Sequence, residues 1–352
     1  MRADETARKA SKRDKRGAET AERLAQRRVK CEKERRQRVG AKNQRATTEK
    51  KMIRRAAHAG SWYSSDPKQL SDLFSSCLTR VQKTEENAVA LICPHAGYAY
   101  CAATAAAAWR QVSPATVRRV FVLGPSHHVY LANCALPQPS VKAYATPLGE
   151  IPLDIPVLEA LRSAKIFGTL PLRDDENEHS IEMQLPFLKY VLREQAFTLV
   201  PIVVGDLRRA DHSAFATALR PYFLEVGNLF VFSSDFCHWG RRFRYMYLPP
   251  AADDLPIYKR IEMLDRAGAA LVERQDAAEF QKYYEETGNT ICGHNPISVF
   301  LHLLEESGRP KEAFKTKLLS YSQSSQVEDD SSSSVSYAAF ACSLVAASAS
   351  PR

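Results

Sequence analysis

The stretch Arg119–His128, RVFVLGPSHH, runs from a short apolar segment straight into two adjacent histidines. Its Val, Phe and Leu residues form a continuous run that is typical of a strand covered on both faces of a sheet. Three other runs share this character: Ala88–Cys93, Phe197–Val204 and Asn228–Ser233. Together these four runs predict the central strands of one sheet.

Helices are predicted between these runs, at Cys101–Val112, Pro156–Ser163, Glu178–Leu192 and His212–Phe223. The alternation of strand and helix favours a single α/β domain with a mostly parallel sheet flanked by helices. Pro186 is expected to kink or end the third helix. The later part of the chain predicts helices at Leu255–Glu286 and Pro296–Glu306 and strands at Lys317–Tyr321 and Val335–Leu344.

The positive charge of the chain is concentrated at its N-terminus. Residues 1–51 hold 19 of the 49 Lys and Arg but only 8 of the 40 Asp and Glu, so they carry a net +11 and the remainder carries −2. With few large apolar residues this segment predicts a disordered basic tail before a domain at 52–345, and residues 346–352 predict a C-terminal tail. The basic tail is interpreted either as a solvated charged segment or as a nuclear-localisation or nucleic-acid-contacting arm.

The hydrophobic runs and the cysteine content indicate the cellular compartment. No apolar run approaches the roughly 20 residues of a membrane span, and the N-terminus has no apolar signal core. Eight cysteines without paired short spacings do not resemble a disulfide framework, so reduced thiols are expected. We therefore expect a cytoplasmic protein, with the nucleus as a second compartment.

Polar residues follow three of the predicted strands directly. His95 follows the run at 88–93, His127 and His128 follow the run at 119–123, and Asp235 and His238 follow the run at 228–233. In an open parallel sheet, ligands bind outside the carboxyl ends of the strands. The sequence therefore predicts a site at this edge of the sheet, with metal-binding histidines.

The segment NTICGHNP places Cys292 just before a helix that Pro296 is suited to open. A cysteine at a helix N-terminus has its thiolate favoured by the backbone N–H groups and the helix dipole. Cys292 is thus a candidate ligand or nucleophile, and the alternative is a small buried hydrophobic residue.

Seven motifs in order resemble the Memo family, named for a mediator of receptor-driven cell motility. The resemblance extends from about Arg55 to Leu344. The motifs are HAGSWY (58–63), PHAGY (94–98), GPSHH (124–128), EHSIEMQLP (178–186), SSDFCHWG (233–240), NTICG (289–293) and SSVSYAA (333–339). The resemblance implies the fold of the LigB-type class III extradiol dioxygenases, an α/β domain with a metal cleft at the sheet edge.

The resemblance also implies the site residues. By position in the motifs, the metal ligands are His95, His127 and Cys292, and His238 takes the place of an acid/base residue. Where the dioxygenases have a carboxylate ligand, this pattern has a thiolate. A thiolate with two imidazoles suits copper, zinc or iron, and ring-cleaving activity is therefore not transferred with the fold.

Three functional classes follow from this. The first is a metal-dependent redox protein with copper or iron, or zinc, in which His238 transfers protons and Asp235 orients it. The second is a signalling adaptor that binds a phosphotyrosine-containing peptide, without catalysis. The third is a hydrolase using a metal-bound water, which no specific residue supports.

Residues proposed to contact a ligand lie near the His238 motif and the HAGSWY motif. Arg241, Arg242 and Arg244 would supply positive charge for a phosphate. Trp62 and Trp239 are predicted either to line the cleft or to pack in the core. His179 and Glu182 are left open between a structural and a catalytic role.

Overall fold

The structure is a computed structural model and describes residues 52–250 and 254–345. The predictions for the basic segment 1–51 and for residues 346–352 lie outside the described residues. Within the described part of the chain, no helix is both long enough and apolar enough to span a membrane.

Twelve strands are described, and we number them in chain order. They are β1 Met52–Arg54, β2 Ala88–Cys93, β3 Arg119–Pro125, β4 Cys134–Pro137, β5 Val141–Tyr144, β6 Ile151–Pro152, β7 Gly168–Leu170, β8 Thr198–Val204, β9 Asn228–Ser233, β10 His238–Trp239, β11 Phe314–Gln323 and β12 Ser334–Leu344.

Nine α-helices accompany these strands in residues 52–250 and 254–345. They are α1 Pro67–Thr79, α2 Tyr98–Trp109, α3 Ile155–Ser163, α4 Leu172–Asn177, α5 Leu185–Val191, α6 Arg209–Phe223, α7 Ile257–Glu273, α8 Ala277–Thr287 and α9 His294–Glu306.

The main sheet has the order β10-β12-β2-β9-β3-β8-β4-β7, with β11 paired to β12. Its four central strands, β2, β9, β3 and β8, are parallel, and Leu91, Val231, Val122 and Pro201 lie in register across them. These are the four apolar runs of the sequence, and the α/β class is confirmed. The pairings of β12 with β2, β10 and β11 and of β4 with β8 are antiparallel, whereas the edge pair β4 and β7 is parallel, so the sheet is mixed outside its parallel centre.

Two predicted helices differ from the structure. The segment predicted at 178–192 is non-helical at first, passes through a 3₁₀ turn at Glu182–Gln184 and becomes α5 at Leu185. Pro186 lies in the first turn of α5, where its missing N–H is tolerated, so it opens a helix instead of kinking one. The segment predicted at 255–286 is two helices, because Gln275 has a φ of +55° and Asp276 caps the second helix.

The central strands set the position of the site. β2, β3 and β9 run in the same direction, so the loops that follow them leave from one edge of the sheet. Core packing holds these strands rigidly, as the stacked rings of Phe121 and Phe230 show with centroids 4.3 Å apart. Side chains in the three following loops therefore have fixed relative positions.

Candidate metal centre

Three histidines meet at the carboxyl edge of the sheet. His95 follows β2, His127 follows β3, and His179 lies in the non-helical segment before α5. One ring nitrogen from each can be chosen so that all three atoms lie within 4.8 Å of one another. Nitrogens this close can share one metal ion, so the described residues contain a three-histidine group that could hold a metal.

Two glycines bring the loops together. A Cβ on Gly124 would lie 2.5 Å from the Oγ of Ser180, and a Cβ on Gly293 would lie 2.3 Å from the Cβ of Ser234. Only glycine permits such close approach of backbone to a neighbouring chain segment. The glycines of GPSHH and NTICG therefore let His127 approach the 178–180 segment and let Cys292 approach the end of β9.

The proton on His95 is assigned by its neighbours. Ser233 Oγ donates to the carbonyl of Ser180 at 2.7 Å and accepts from Nε2 of Gln184 at 2.8 Å. Its single hydrogen is thus used, so the Nδ1 of His95, at 2.8 Å, must donate to it. The lone pair of His95 is then on Nε2, and burial lowers the pKa of His95, which keeps the ring neutral.

His127 has the same tautomer for a different reason. Its Nδ1 lies 2.9 Å from Oε1 of Glu178, and its backbone N–H donates to Oε2 of the same carboxylate at 2.6 Å. Burial alone would raise the pKa of Glu178, but the contacts with His127 lower it to about 2, so the carboxylate only accepts. Nδ1 of His127 therefore carries a proton, which leaves Nε2 as the ring atom that can bind a metal.

His179 completes the group and was left unassigned by the sequence. Its ring stacks on His127 with centroids 4.4 Å apart and packs against Trp62 at 4.3 Å. Burial lowers the pKa of His179 to about 3, so its ring is neutral. Its Nδ1 is buried and makes no hydrogen bond among the described residues, and it lies 3.6 Å from Oε1 of Glu178. This carboxylate is too distant for a hydrogen bond, and a bound metal ion would give the ring a direct partner.

Cys292 lies beside this group, two residues before α9. Its Sγ is 3.1 Å from Nε2 of His95 and accepts from the backbone N–H of Asp235 at 3.3 Å. Burial raises the pKa of the Cys292 thiol, and the charge of Asp235 adds to this. Burial therefore acts against the stabilisation that a helix N-terminus gives to a thiolate, and Cys292 stays a candidate ligand.

His238 is fixed by backbone carbonyls. Its Nδ1 lies 2.9 Å from the carbonyl of Phe236 and 3.1 Å from that of Thr290, so Nδ1 donates and Nε2 carries the lone pair. The sequence suggested that Asp235 orients His238, but among the described residues no hydrogen bond joins the two side chains. Its Oδ1 accepts instead from the backbone N–H of His95 at 2.8 Å, so Asp235 positions the loop after β2.

A cleft of about 440 Å³ opens over these residues. Its lining includes His95, His127, His179, Asp235, His238, Trp62 and Arg242. Trp62 is 38% exposed and Arg242 packs over the ring of Phe243, so both are available to a ligand.

Three of the residues proposed to contact a ligand are placed elsewhere. Trp239 is 1% exposed and its indole N–H donates to the carbonyl of Tyr247, so it packs in the core and the ligand-binding assignment is wrong. Arg241 lies 3.9 Å from Asp330 on the surface, and Arg244 is an exposed residue with a φ of +58°. Neither arginine lines the cleft, so Arg242 alone of the three is positioned to supply charge there.

A second histidine–carboxylate pair supports the cleft wall. Nδ1 of His58 lies 3.0 Å from Oε2 of Glu182, which also binds Arg54, while Tyr63 donates to Oε1 at 2.7 Å. The ring of His58 lies 5.7 Å from that of Trp62. The motif EHSIEMQLP, with carboxylates at Glu178 and Glu182 on either side of His179, was the sequence feature that could have indicated buried histidine–carboxylate pairs here.

The donor set fits a transition metal. Nitrogen and sulfur ligands at about 2.0–2.3 Å from a tetrahedral metal lie about 3.3–3.6 Å apart, close to the 3.1 Å between Cys292 and His95. His95 and His127 already present their lone pairs on Nε2, so neither ring has to change its tautomer to bind.

Comparison with known proteins identifies the family. The sequence model of the Memo-like proteins matches residues 54–341. Protein MEMO1 of Homo sapiens is 42% identical over 295 residues, which cover 83% of this chain and 98% of that protein. Protein MEMO1 of Xenopus laevis is 43% identical over 290 residues, covering 82% and 96%. Protein memo-1 homolog of Caenorhabditis elegans is 42% identical over 288 residues, covering 81% of each.

Among solved structures, the uncharacterized protein JW3007 from Escherichia coli K12 aligns with a TM-score of 0.44 and 13% identity, over 71% of this chain and 98% of that one. The family assignment depends on the sequence comparisons and not on this structural alignment. The family model covers most of the described domain, and the vertebrate relatives match over nearly their full length. This chain belongs to the Memo family.

Proposed function

We propose that this Memo-family protein is a metal-dependent redox protein that binds one copper or iron ion in the cleft. The proposed ligands are Nε2 of His95 and of His127 and the sulfur of Cys292, and His179, which belongs to the same three-histidine group, is a further donor. The observation that carries the proposal is the convergence of three imidazoles with a cysteine 3.1 Å from one of them.

The donor set decides which metals are proposed. Imidazole and thiolate together are soft enough for copper and also bind iron or zinc, whereas magnesium and calcium prefer oxygen ligands. A bound copper or iron ion would supply one-electron redox chemistry. Because burial raises the pKa of the Cys292 thiol, binding as a thiolate must release its proton, and affinity should rise with pH.

The chain supplies proton transfer and substrate positioning around that ion. His238 presents the lone pair of Nε2 to the cleft and is proposed to accept a proton from a substrate. Trp62 and Ser333 line the same space, so an aromatic or polar substrate group can be held there.

A second candidate function is a signalling adaptor that binds a phosphotyrosine-containing peptide. The observation that favours it is Arg242, an exposed cation that lines the cleft beside Trp62. A guanidinium pairs with a phosphate through two parallel hydrogen bonds, and an exposed tryptophan can pack on an aromatic side chain.

The test measures metal and peptide binding in one series of variants. The full chain is purified under reducing conditions, its metal content is determined, and Cu(I) is titrated against a competing chelator. Cys292→Ser and His127→Ala should each lose copper affinity by at least about tenfold, because serine is a harder, poorly ionised donor and alanine is no donor. His302→Gln, on the outer part of α9, is the control and should bind as the wild type does.

Unchanged copper affinity in both Cys292→Ser and His127→Ala would overturn the metal site. The adaptor function is tested with a phosphotyrosine peptide and its unphosphorylated form on the same proteins. Arg242→Gln should abolish any preference for the phosphorylated peptide while copper binding stays intact. Peptide binding that ignores both the phosphate and Arg242 would contradict the adaptor function.

A further inference from the structure

A surface turn with basic and apolar side chains directly follows strand β10. The backbone N–H of Gly240 donates to the carbonyl of Tyr245 at 2.8 Å and closes the turn, and Arg241–Phe243 form a single 3₁₀ turn within it. We call residues 240–247 the Arg244 turn. Its sequence, GRRFRYMY, combines three arginines with aromatic residues and a methionine.

The arginines of this turn are exposed, and two of them have no role in the metal cleft. Arg242 lines the cleft, whereas Arg241 and Arg244 lie outside its lining. Arg241 lies 3.9 Å from Asp330, and both side chains are largely exposed, so this ion pair contributes little. The side chain of Arg244 has neither a hydrogen bond nor an ion pair within the described part of the chain.

The backbone of Arg244 makes the presence of an arginine there informative. Its φ of +58° and ψ of +30° are left-handed, a conformation that glycine and asparagine adopt at lower cost than arginine. No contact of the guanidinium within the described residues offsets that cost. An arginine at such a position therefore favours a role for its charge in a contact outside the chain.

Large apolar side chains lie next to these charges. Met246 is 36% exposed, Tyr247 40% and Met263 of α7 41%. Nη2 of Arg260 donates to the carbonyl of Pro249 at 3.0 Å, which holds the chain after the turn against α7, and Met263 lies one helical turn beyond Arg260. Four of the nine large hydrophobic residues exposed in the described chain lie between positions 246 and 263, so they are concentrated here.

The charge of this surface indicates the chemistry of its partner. Residues 240–250 and 254–267 together hold six Lys and Arg against three Asp and Glu, whereas residues 52–352 carry a net −2. A locally positive surface on a slightly acidic domain fits an anionic partner. Peptides are commonly bound in a groove or on a strand edge, and neither Met246 nor Tyr247 lines the cleft. A bilayer requires no groove, because arginine pairs with headgroup phosphates while apolar and aromatic side chains enter the interfacial layer.

We propose that the Arg244 turn, together with Met263, docks on a membrane surface that contains anionic phospholipids. Arg241 and Arg244 pair with the lipid phosphates, and Met246, Tyr247 and Met263 enter the interfacial layer. This surface does not depend on the proposed function.

The experiment sediments the full chain with vesicles of phosphatidylcholine alone or mixed with phosphatidylserine. Binding should require phosphatidylserine, and Arg241→Gln and Arg244→Asn should each weaken it by about fivefold, the effect of one basic residue near an anionic surface. Arg244→Asn is the sharper variant, because asparagine suits the left-handed backbone and should leave the free energy of unfolding undiminished. Arg80→Gln, an exposed arginine after α1, is the matched control and should bind as the wild type does.

A local readout is needed because the basic segment 1–51 carries a net +11 and is also attracted to anionic lipids. The chain has five methionines, so ¹³C-methyl labelling gives five signals that single Met→Leu variants assign. Vesicles with a paramagnetic headgroup should broaden the signals of Met246 and Met263 and spare that of the buried Met183. Broadening of the Met1 signal alone would show that lipid binds the basic segment without the turn, and would overturn the proposal.

Two further results would also overturn it. The first is equal vesicle binding by Arg244→Asn and the wild type. The second is a shift of the Met246 and Met263 signals with a polyglutamate peptide but not with vesicles, which would assign the surface to an acidic protein instead of a membrane.

Discussion

The position of one proton decides whether each histidine of the cleft can bind a metal. His95 and His127 both donate through Nδ1, the first to a serine oxygen whose own hydrogen is used and the second to a carboxylate. In both rings Nε2 is thus the atom that can bind a metal, and in His95 it contacts the sulfur of Cys292. Partners that fix the tautomer of a metal-binding histidine typically change affinity by 10–100-fold when they are removed.

Glu178→Gln tests this at the level of one atom. Glutamine retains one oxygen but turns an N–H₂ group toward either the backbone N–H or the ring N–H of His127, both of which are donors. We expect copper affinity to fall by about tenfold or more. Glu176→Gln is the control, because Glu176 binds the surface residue Arg55 and no histidine of the cleft. Equal copper affinity in the two variants would show that Glu178 does not govern the tautomer.

Residue positions were predictable from sequence where a strand fixes them. His95, His127 and His238 were placed at one sheet edge because each follows an apolar run, and all three line the cleft. His179 follows no strand, and it reaches the cleft because Glu178 binds a residue 51 positions away in sequence. The sequence left Cys292 open between a ligand and a buried hydrophobic residue, because its surroundings depend on burial, which a local motif does not reveal.

At the scale of secondary-structure elements, the break between α7 and α8 shows how far helix boundaries can be predicted from the sequence. The helical pattern continues through residues 274–276, but Asp276 accepts the backbone N–H of Glu279 at 3.1 Å and starts a new helix. An Asp followed three residues later by a Glu is a recognised start signal within a longer pattern. The capping signal at Asp276 would therefore have divided the helix predicted at 255–286 at the correct place.

Gly268 in α7 provides a prediction at the element scale. Alanine is favoured over glycine inside a helix by about 1 kcal/mol. A Cβ at this position would lie 2.7 Å from Cε1 of Tyr283 in α8, and the hydroxyl of that tyrosine is held by Leu264 and Asn289. Overpacking of this kind costs about 1–3 kcal/mol, so Gly268→Ala should lower the free energy of unfolding by about 1 kcal/mol.

Urea unfolding measures this change, and Ala267→Gly on the exposed side of the same helix is the control. That variant reports the helix propensity without the contact to Tyr283. If Gly268→Ala stabilises the protein by as much as Ala267→Gly destabilises it, the helices do not pack as described.

At the scale of the whole molecule, the apolar runs predicted the parallel centre of the sheet, and the antiparallel pairings on either side of it were not recognised from the sequence. Strands covered on both faces show continuous apolar sequence whichever direction they run. The direction of β12 beside β2 is set instead by the long hairpin from β11, with Phe340 opposite Ile92. Small strands such as β5 and β6 were missed because two to four residues show no period.

Glu182 connects distant parts of the molecule. It lies before α5 and binds Arg54 of β1, His58 and Tyr63, which are 119–128 positions away. These contacts hold the start of the domain against the cleft wall. Removing one partner of a buried ion pair commonly costs about 3–5 kcal/mol, so Glu182→Gln should be strongly destabilising at neutral pH.

The same carboxylate predicts how stability changes in acid. Burial alone would raise the pKa of Glu182, but the hydrogen bond from His58 and the charge of Arg54 lower it from 4.5 to about 2. A lowered pKa in the folded state stabilises the protein above pH 4.5, and this contribution, about 3 kcal/mol, is lost as the pH falls through 2. Urea unfolding from pH 7 to pH 2 should show that decline in the wild type and in the surface control Glu159→Gln. In Glu182→Gln the same range should be flatter by about that amount. Parallel curves for the two variants would mean that another carboxylate governs the acid stability of this fold.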